Sequence, residues 1–198
     1  VSELLGVGEQ GFTFAILTNT ASLLAILLIY RQDIIRLATN SISYVQKKDT
    51  RYKSDFRFVL FIIIGTIPAG ILGVLLSDWI AESISLTVIA IMLFITGLAL
   101  WTIRNMKGTK GEKDLTAKDA WIVGLGQAVA LTPGISRSGA TIISSIAVGM
   151  KQETALRFSF MLYIPISLGG VVLGLSDFID EPNKADLVIP YLAAFIST

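Results

Sequence analysis

The sequence of 198 residues contains no cysteine and no histidine, and only 16% of its residues are charged. The absence of cysteine excludes a disulfide framework and a thiolate metal site. The absence of histidine removes the side chain that most often serves as a general base or metal ligand near neutral pH. The charged fraction is also well below the roughly 25% that is usual for a soluble globular domain.

Apolar residues take the place of the missing charges. Hydrophobic residues make up 53% of the chain, and its mean hydropathy is +0.71. This composition indicates an integral membrane protein that contacts the lipid bilayer, and we expect no nucleic acid partner. Because a helix satisfies its own backbone hydrogen bonds in lipid, we expect an all-α polytopic helical bundle.

Apolar runs long enough to cross a bilayer predict the membrane spans. They lie near residues 12–30, 58–76, 85–103 and 158–175, and a further span begins at 187–198. This last run is too short for the ~20 residues that a crossing needs, and the chain begins with valine rather than methionine. We therefore expect residues 1–198 to form a single membrane domain that is truncated at both ends.

Charges predict which side of the membrane each loop occupies. Basic residues outnumber acidic ones in 31–57 and 104–119, as is typical of cytoplasmic loops, whereas the segment after residue 175 is acidic. Both ends of segment 120–150 then lie on the cytoplasmic side. The helix-breaking Pro133-Gly134 pair at its middle favours a re-entrant pair of half-helices, although two short full crossings also fit these charges.

The most unusual stretch follows this break, where a single arginine stands between two serines. We expect a helix to begin near Gly139, and the unpaired amides at a helix N-terminus favour an anion. Arg137 adds a permanent charge whose planar fork suits phosphate oxygens. Hydroxyl groups of Ser136, Ser138 and Thr141 add hydrogen-bond donors, and the stretch therefore predicts a phosphate-binding site.

Two residues of this segment have an alternative, structural interpretation. Arg137 could instead pair with a buried acid or with carbonyl groups at the helix break. Gln127, on the half-helix before the break, could point at the ligand or bond a neighbouring helix. The residue types alone leave both alternatives open.

The run from Pro133 to Thr141, Pro-Gly-Ile-Ser-Arg-Ser-Gly-Ala-Thr, resembles the P-G-x-S-R-S-G-x-T signature of a known family. This is the undecaprenyl-diphosphate phosphatase family, also called the bacitracin-resistance proteins. Gln127, the Gly65–Gly70 stretch and the run from Phe158 to Pro165 are similar as well. The resemblance covers essentially the whole chain.

The resemblance implies a multi-pass enzyme of the bacterial inner membrane that hydrolyses undecaprenyl diphosphate to the monophosphate and inorganic phosphate. It implies two inverted repeats, each with a re-entrant helix pair, and an active site that opens to the periplasm. It also implies a polyprenyl diphosphate lipid as partner and suggests a homodimer. The catalytic residues implied are Ser136, Arg137 and Ser138; those binding the diphosphate are Gly134, Ser136, Arg137, Ser138, Thr141 and Gln127.

The chain departs from this family near its N-terminus. The family's E-G-x-T-E-F-L-P-V-S-S-x-x-H signature has no counterpart, because Glu3 and Glu9 lack its spacing and histidine is absent. The family's divalent cation, Mg²⁺ or Ca²⁺, would then have no ligands in this chain, and we predict that these 198 residues alone are inactive.

Two other functions compete with hydrolysis. Inverted repeats with half-helices aimed at an anion also build secondary transporters, so the chain could be a transporter or flippase of a lipid phosphate or another anion. An inert membrane scaffold is the third interpretation, and the polar stretch argues against it.

Overall fold

The computed structural model describes residues 11–75 and 86–180, and within these ranges it is helical without a named strand. The predicted all-α fold is thereby confirmed. Seven α-helices follow in chain order: α1 (Gly11–Ile29), α2 (Arg31–Lys47), α3 (Lys53–Leu75), α4 (Leu86–Ile103), α5 (Ala117–Val129), α6 (Arg137–Ala147) and α7 (Gln152–Asp180). Short 3₁₀ turns lie at Thr50–Tyr52 and Glu112–Asp114.

Three of the described helical segments are long and apolar enough to cross a bilayer, as expected for an integral membrane protein. They are Thr50–Leu75, Leu86–Ile103 and Gln152–Val172. Helix α1 occupies the first predicted span, and its described apolar part is Thr18–Ile29. The predicted start of a span at 187–198 lies outside the described residues, as do Glu3 and Glu9.

The chain divides into two compact units, one of residues 1–34 with 164–198 and one of residues 35–163. In the first, a hydrogen bond from the Ser167 hydroxyl to the Asn19 side chain, at 3.5 Å, joins α7 to α1. Ser167 is fully buried. The second unit contains the predicted phosphate site.

The prediction of a loop over 31–57 is wrong in conformation, because residues 31–47 form α2. The many charged residues of this segment conceal the amphipathic pattern of a helix, in which Leu37 is buried while Ile35 and Ile42 are exposed. Within the second unit, Asn40 donates a 2.6 Å hydrogen bond to Asp55 at the start of α3. The side of the membrane on which this segment lies stays a prediction.

The core of the second unit forms where α3 and α5 approach each other with small residues. A Cβ on Gly124 would collide with the Gly65 backbone, and a Cβ on Gly65 would lie 2.9 Å from Leu162 of α7. Around this contact, Phe58 packs edge-to-face on Phe158 with ring centroids 5.7 Å apart. Close approach of backbones through glycine is typical of helices that pack in membranes.

Helices α5 and α6 form an antiparallel hairpin whose two ends meet at Lys110. The Lys110 ammonium lies 2.8 Å from Asp119 near the start of α5, and its amide donates to the Gly149 carbonyl just after α6. The helices have 13 and 11 residues, or about 20 and 17 Å, which is short of a ~30 Å hydrocarbon core. These lengths favour the re-entrant pair over two full crossings; the arrangement in the bilayer and the inverted repeat stay predictions.

Asp119, the last residue of the predicted 104–119 loop, anchors the open end of this hairpin. Its carboxylate accepts hydrogen bonds from Lys110 and from the amide and hydroxyl of Thr116, the N-cap of α5. Burial raises the pKa of Asp119, but these hydrogen bonds outweigh burial and hold it below its usual value.

Candidate anion-binding site at the tip of the helical hairpin

A tight turn at the tip of the hairpin positions the site. The Ile135 amide donates to the Thr132 carbonyl, which closes a four-residue turn with proline second and Gly134 third. Gly134 has φ of +90°, as the third residue of a type II turn requires. A Cβ at this position would also lie 2.7 Å from the Cα of Ile89 in α4. Gly134 therefore serves the turn and its contact with α4, and its binding of the diphosphate stays a prediction.

Helix α6 begins at Arg137, two residues before the predicted start, because Ser136 is its N-cap. The Ser136 hydroxyl oxygen accepts from the Gly139 amide at 3.2 Å, and its carbonyl accepts from the Ala140 amide at 2.8 Å. Within the described ranges, the amides of Arg137 and Ser138 have no acceptor. The free donors of the helix N-terminus are therefore those next to the arginine, where an anion is most favourable.

Arg137 carries the positive charge of this site. Among residues 18–75 and 86–172, whose side chains the structure describes, its guanidinium has neither an ion-pair partner nor a hydrogen-bond acceptor, so the acid or carbonyl partner of the alternative interpretation is not found there. Ser138 beside it is exposed, and its hydroxyl lies 3.5 Å from that of Ser136. A desolvated arginine whose donors are unused is suited to bind an anion.

Gln127 of α5 faces the same place from the other helix of the hairpin. One narrow crevice is lined by Gln127 of α5, by Arg137, Ser138 and Thr141 of α6, and by Ser159 and Tyr163 of α7. Gln127 is 1% exposed, and neither its amide nitrogen nor its amide oxygen has a partner in the described part of the chain. An unpaired buried amide costs about 1–3 kcal/mol, which a ligand that accepted its N–H would recover.

Thr141 lies in the crevice but its proton is already in use. Thr141 is 2% exposed, and its hydroxyl donates to the Ser138 carbonyl at 3.0 Å and to the Arg137 carbonyl at 3.2 Å. It therefore fixes the first turn of α6, instead of offering the free donor that was expected. The six predicted residues thus lie together near the hairpin tip, although Gly134 and Ser136 do not line the crevice.

Ser159 and Tyr163 of α7 complete the crevice, and sequence reasoning did not single them out. Ser159 is 2% exposed, and its hydroxyl has no partner among the described residues. The two residues stand four positions apart, so they share one helix face. That spacing, with polar groups in an apolar helix, was the available signal, but the sequence does not tell which helix they face.

A divalent cation finds no ligand set in this crevice. No carboxylate lines it, and the described ranges contain no group of three acidic, cysteine or histidine residues that could hold a metal. These residues fit an anion and do not fit a metal ion, since hard cations take oxygen ligands that are mainly carboxylates.

Comparison with known proteins identifies relatives along the whole chain. The family model of the bacitracin resistance protein BacA matches residues 1–198. Undecaprenyl-diphosphatase 1 of Bacillus cereus is 54% identical over 196 residues, covering 98% of this chain and 73% of that protein. Undecaprenyl-diphosphatase of Oceanobacillus iheyensis is 54% identical over 198 residues, with 98% and 72% covered. Undecaprenyl-diphosphatase 1 of Halalkalibacterium halodurans is 48% identical over 199 residues, with 100% and 73% covered.

Proposed function

The chain belongs to the bacitracin resistance protein BacA family, and from this we propose that it hydrolyses undecaprenyl diphosphate to undecaprenyl phosphate and inorganic phosphate. The reaction returns the lipid carrier to cell-wall synthesis. Relatives of this similarity that are named undecaprenyl-diphosphatase support the activity. The position of Arg137 supports the location of the reaction site. This residue lies at the N-terminus of α6 and has no acidic partner in the described ranges.

In the reaction, a water oxygen bonds to the terminal phosphorus while the bond from that phosphorus to the bridging oxygen breaks. The electron pair stays on the bridging oxygen, which becomes part of the lipid monophosphate. Arg137 neutralises charge on the oxygens around the terminal phosphorus, and this charge stabilisation is the main work of a protein in phosphoryl transfer. The amides of Arg137 and Ser138 and the Ser138 hydroxyl donate to the same oxygens.

Gln127 binds the diphosphate from the opposite helix. The crevice is too narrow in this structure to hold a water molecule, so the phosphate enters at its mouth beside the exposed Ser138. A phosphate oxygen that accepts from the Gln127 amide provides the partner that this group lacks among the described residues. Gln127 thereby binds substrate at little cost in desolvation, because its amide is already removed from water.

We further propose that the enzyme lies in the bacterial inner membrane, that its crevice opens to the periplasm, and that it forms a homodimer. The divalent cation, Mg²⁺ or Ca²⁺, would neutralise further charge on the diphosphate. Residues other than those lining the crevice would hold it, since these offer no carboxylate.

Hydrolysis and transport are separated by one experiment on the purified full-length protein in liposomes. Phosphate release from a long-chain prenyl diphosphate is followed together with movement of the labelled lipid between leaflets. We expect the wild type to release phosphate and Arg137→Ala to release it at least about 30-fold more slowly. This is the smallest loss that is usual when one partner of a desolvated charge pair is removed.

Arg104→Ala is the matched control. Arg104 lies over the Trp101 ring at 4.5 Å and does not line the crevice, so the change removes an arginine without touching the site. Its phosphate release should equal that of the wild type. Lipid movement without phosphate release would favour the transporter and contradict the proposal.

A further inference from the structure

A second polar cavity lies at the other end of the same unit, where α3 begins. Its volume is about 240 Å³, and its lining consists of Lys53, Ser54, Arg57, Glu112 and Lys113. Arg57 stands sixteen residues before Gly73, whose Cβ position lies 3.8 Å from Leu131 at the hairpin tip. At 1.5 Å per residue, α3 separates this cavity from the tip by about 24 Å. The cavity is therefore distinct from the crevice at Arg137.

The cavity carries a net positive charge. Three of its five lining residues are cations, and its single acid, Glu112, is already paired with the guanidinium of Arg157. Arg157 is held in turn over the ring of the buried Phe58, 5.2 Å from its centroid, so this partly exposed pair is anchored on the core beside the cavity. The remaining cations consequently face an empty space without a free carboxylate in the lining.

The donors in the cavity are available to a ligand. Lys53 and Lys113 are exposed and form no ion pair within the described residues. Arg57 uses one nitrogen to donate to the Leu115 carbonyl at 3.1 Å and lies over the Phe61 ring, which fixes its position while other N–H groups stay free. An arginine held by these contacts between two exposed lysines is suited to surround phosphate oxygens.

The level of the cavity along α3 indicates where its ligand comes from. It spans the first turn of α3, and the apolar part of that helix begins at Phe58, one residue after Arg57. The cavity therefore stands at the end of a membrane span, where the phosphate groups of phospholipids lie. Basic pockets at this level on the cytoplasmic side commonly bind anionic lipid headgroups.

We propose that the cavity of Lys53, Ser54, Arg57 and Lys113 binds a phosphate group, supplied by the headgroup of an anionic phospholipid. The lysines contribute charge, Arg57 contributes a fixed pair of donors, and the Ser54 hydroxyl adds a neutral donor. This binding is independent of the reaction at Arg137, because the two places do not share a residue. The cavity thereby provides a lipid-binding site at the start of α3, on the side of the predicted basic loops.

The test measures lipid binding by the purified full-length protein in a neutral detergent. Native mass spectrometry is used to titrate phosphatidylglycerol and, separately, phosphatidylcholine. The variant Lys53→Gln with Lys113→Gln removes two cations and leaves Arg57 in place. At about a kcal/mol per lysine, it should weaken phosphatidylglycerol binding about 30-fold at low salt. The control Lys47→Gln with Lys118→Gln removes the same charge from exposed positions that do not line the cavity, and it should change binding less than about threefold.

A further arm distinguishes the two sources of phosphate. If millimolar inorganic phosphate displaces phosphatidylglycerol from the wild type and from the control variant but not from Lys53→Gln with Lys113→Gln, free phosphate enters the cavity and its phosphate chemistry is supported. If inorganic phosphate does not displace it while the 30-fold loss is seen, the lipid headgroup is the ligand. Equal losses in the two variants, or equal binding of phosphatidylglycerol and phosphatidylcholine, would overturn the proposal.

Discussion

Replacing Gln127 with methionine distinguishes a binding residue from a structural one, because stability and activity should change in opposite directions. The Gln127 side chain is buried with both amide atoms unpaired in the described part of the chain. Methionine has a similar length and no group that needs a partner. Removing an unpaired buried amide relieves about 1–3 kcal/mol, so Gln127→Met should unfold at the same or a higher temperature than the wild type.

The same change should impair the reaction. A hydrogen bond to a charged group contributes about 1.5–3 kcal/mol, so losing the bond from Gln127 to a phosphate oxygen should lower kcat/KM about 10- to 150-fold. Thermal unfolding in detergent and phosphate release from a prenyl diphosphate measure the two quantities on one preparation. Ser145→Ala is the matched control, since the Ser145 hydroxyl is also buried and unpaired among the described residues but does not line the crevice. The reasoning fails if Gln127→Met keeps full activity, or if it unfolds well below the wild type.

Three further predictions concern the frame of the site. Gly134→Ala should destabilise the protein by at least about 1–3 kcal/mol and lower activity, because alanine meets both a positive φ and the α4 backbone; urea unfolding and phosphate release check this. Gly124→Ala should overpack against α3 and lower the free energy of unfolding by about 1–3 kcal/mol, seen as a lower unfolding temperature, whereas Gly97→Ala, with open space at its Cβ position, should not. The pKa of Asp119 is lowered in the folded protein, so its contribution to stability should be complete above the unfolded pKa near 4 and lost as pH falls through the folded pKa. Asp119→Asn should therefore lower the free energy of unfolding at pH 7, and its difference from the wild type should shrink below about pH 4.

The hairpin and the start of its second helix could be predicted because their signals are local. A proline followed by glycine ends one helix and makes a turn, and Ser136 before an arginine is a suitable N-cap for the next. The prediction placed the helix start near Gly139, two residues later than the start at Arg137. In the structure Gly139 is the residue whose amide the N-cap accepts.

What escaped prediction depends on contacts between distant parts of the chain. Ser159 and Tyr163 enter the crevice because α7 packs beside the hairpin, and one sequence gives no sign of that neighbour. The helix at 31–47 escaped because its charge count is that of a loop, whereas its apolar residues follow a helical period. Thr141 was correctly placed near Arg137, but its hydroxyl bonds to the backbone one turn earlier, as threonine within a helix often does.

The central claim is that Arg137 binds the diphosphate of the substrate. The most direct measurement is the affinity of the purified full-length protein for a prenyl bisphosphonate whose bridging oxygen is replaced by a methylene group, since this analogue binds without being hydrolysed. Arg137→Ala should weaken its binding at least about 30-fold, while Arg104→Ala leaves it unchanged. Equal affinities of Arg137→Ala and the wild type would contradict the account.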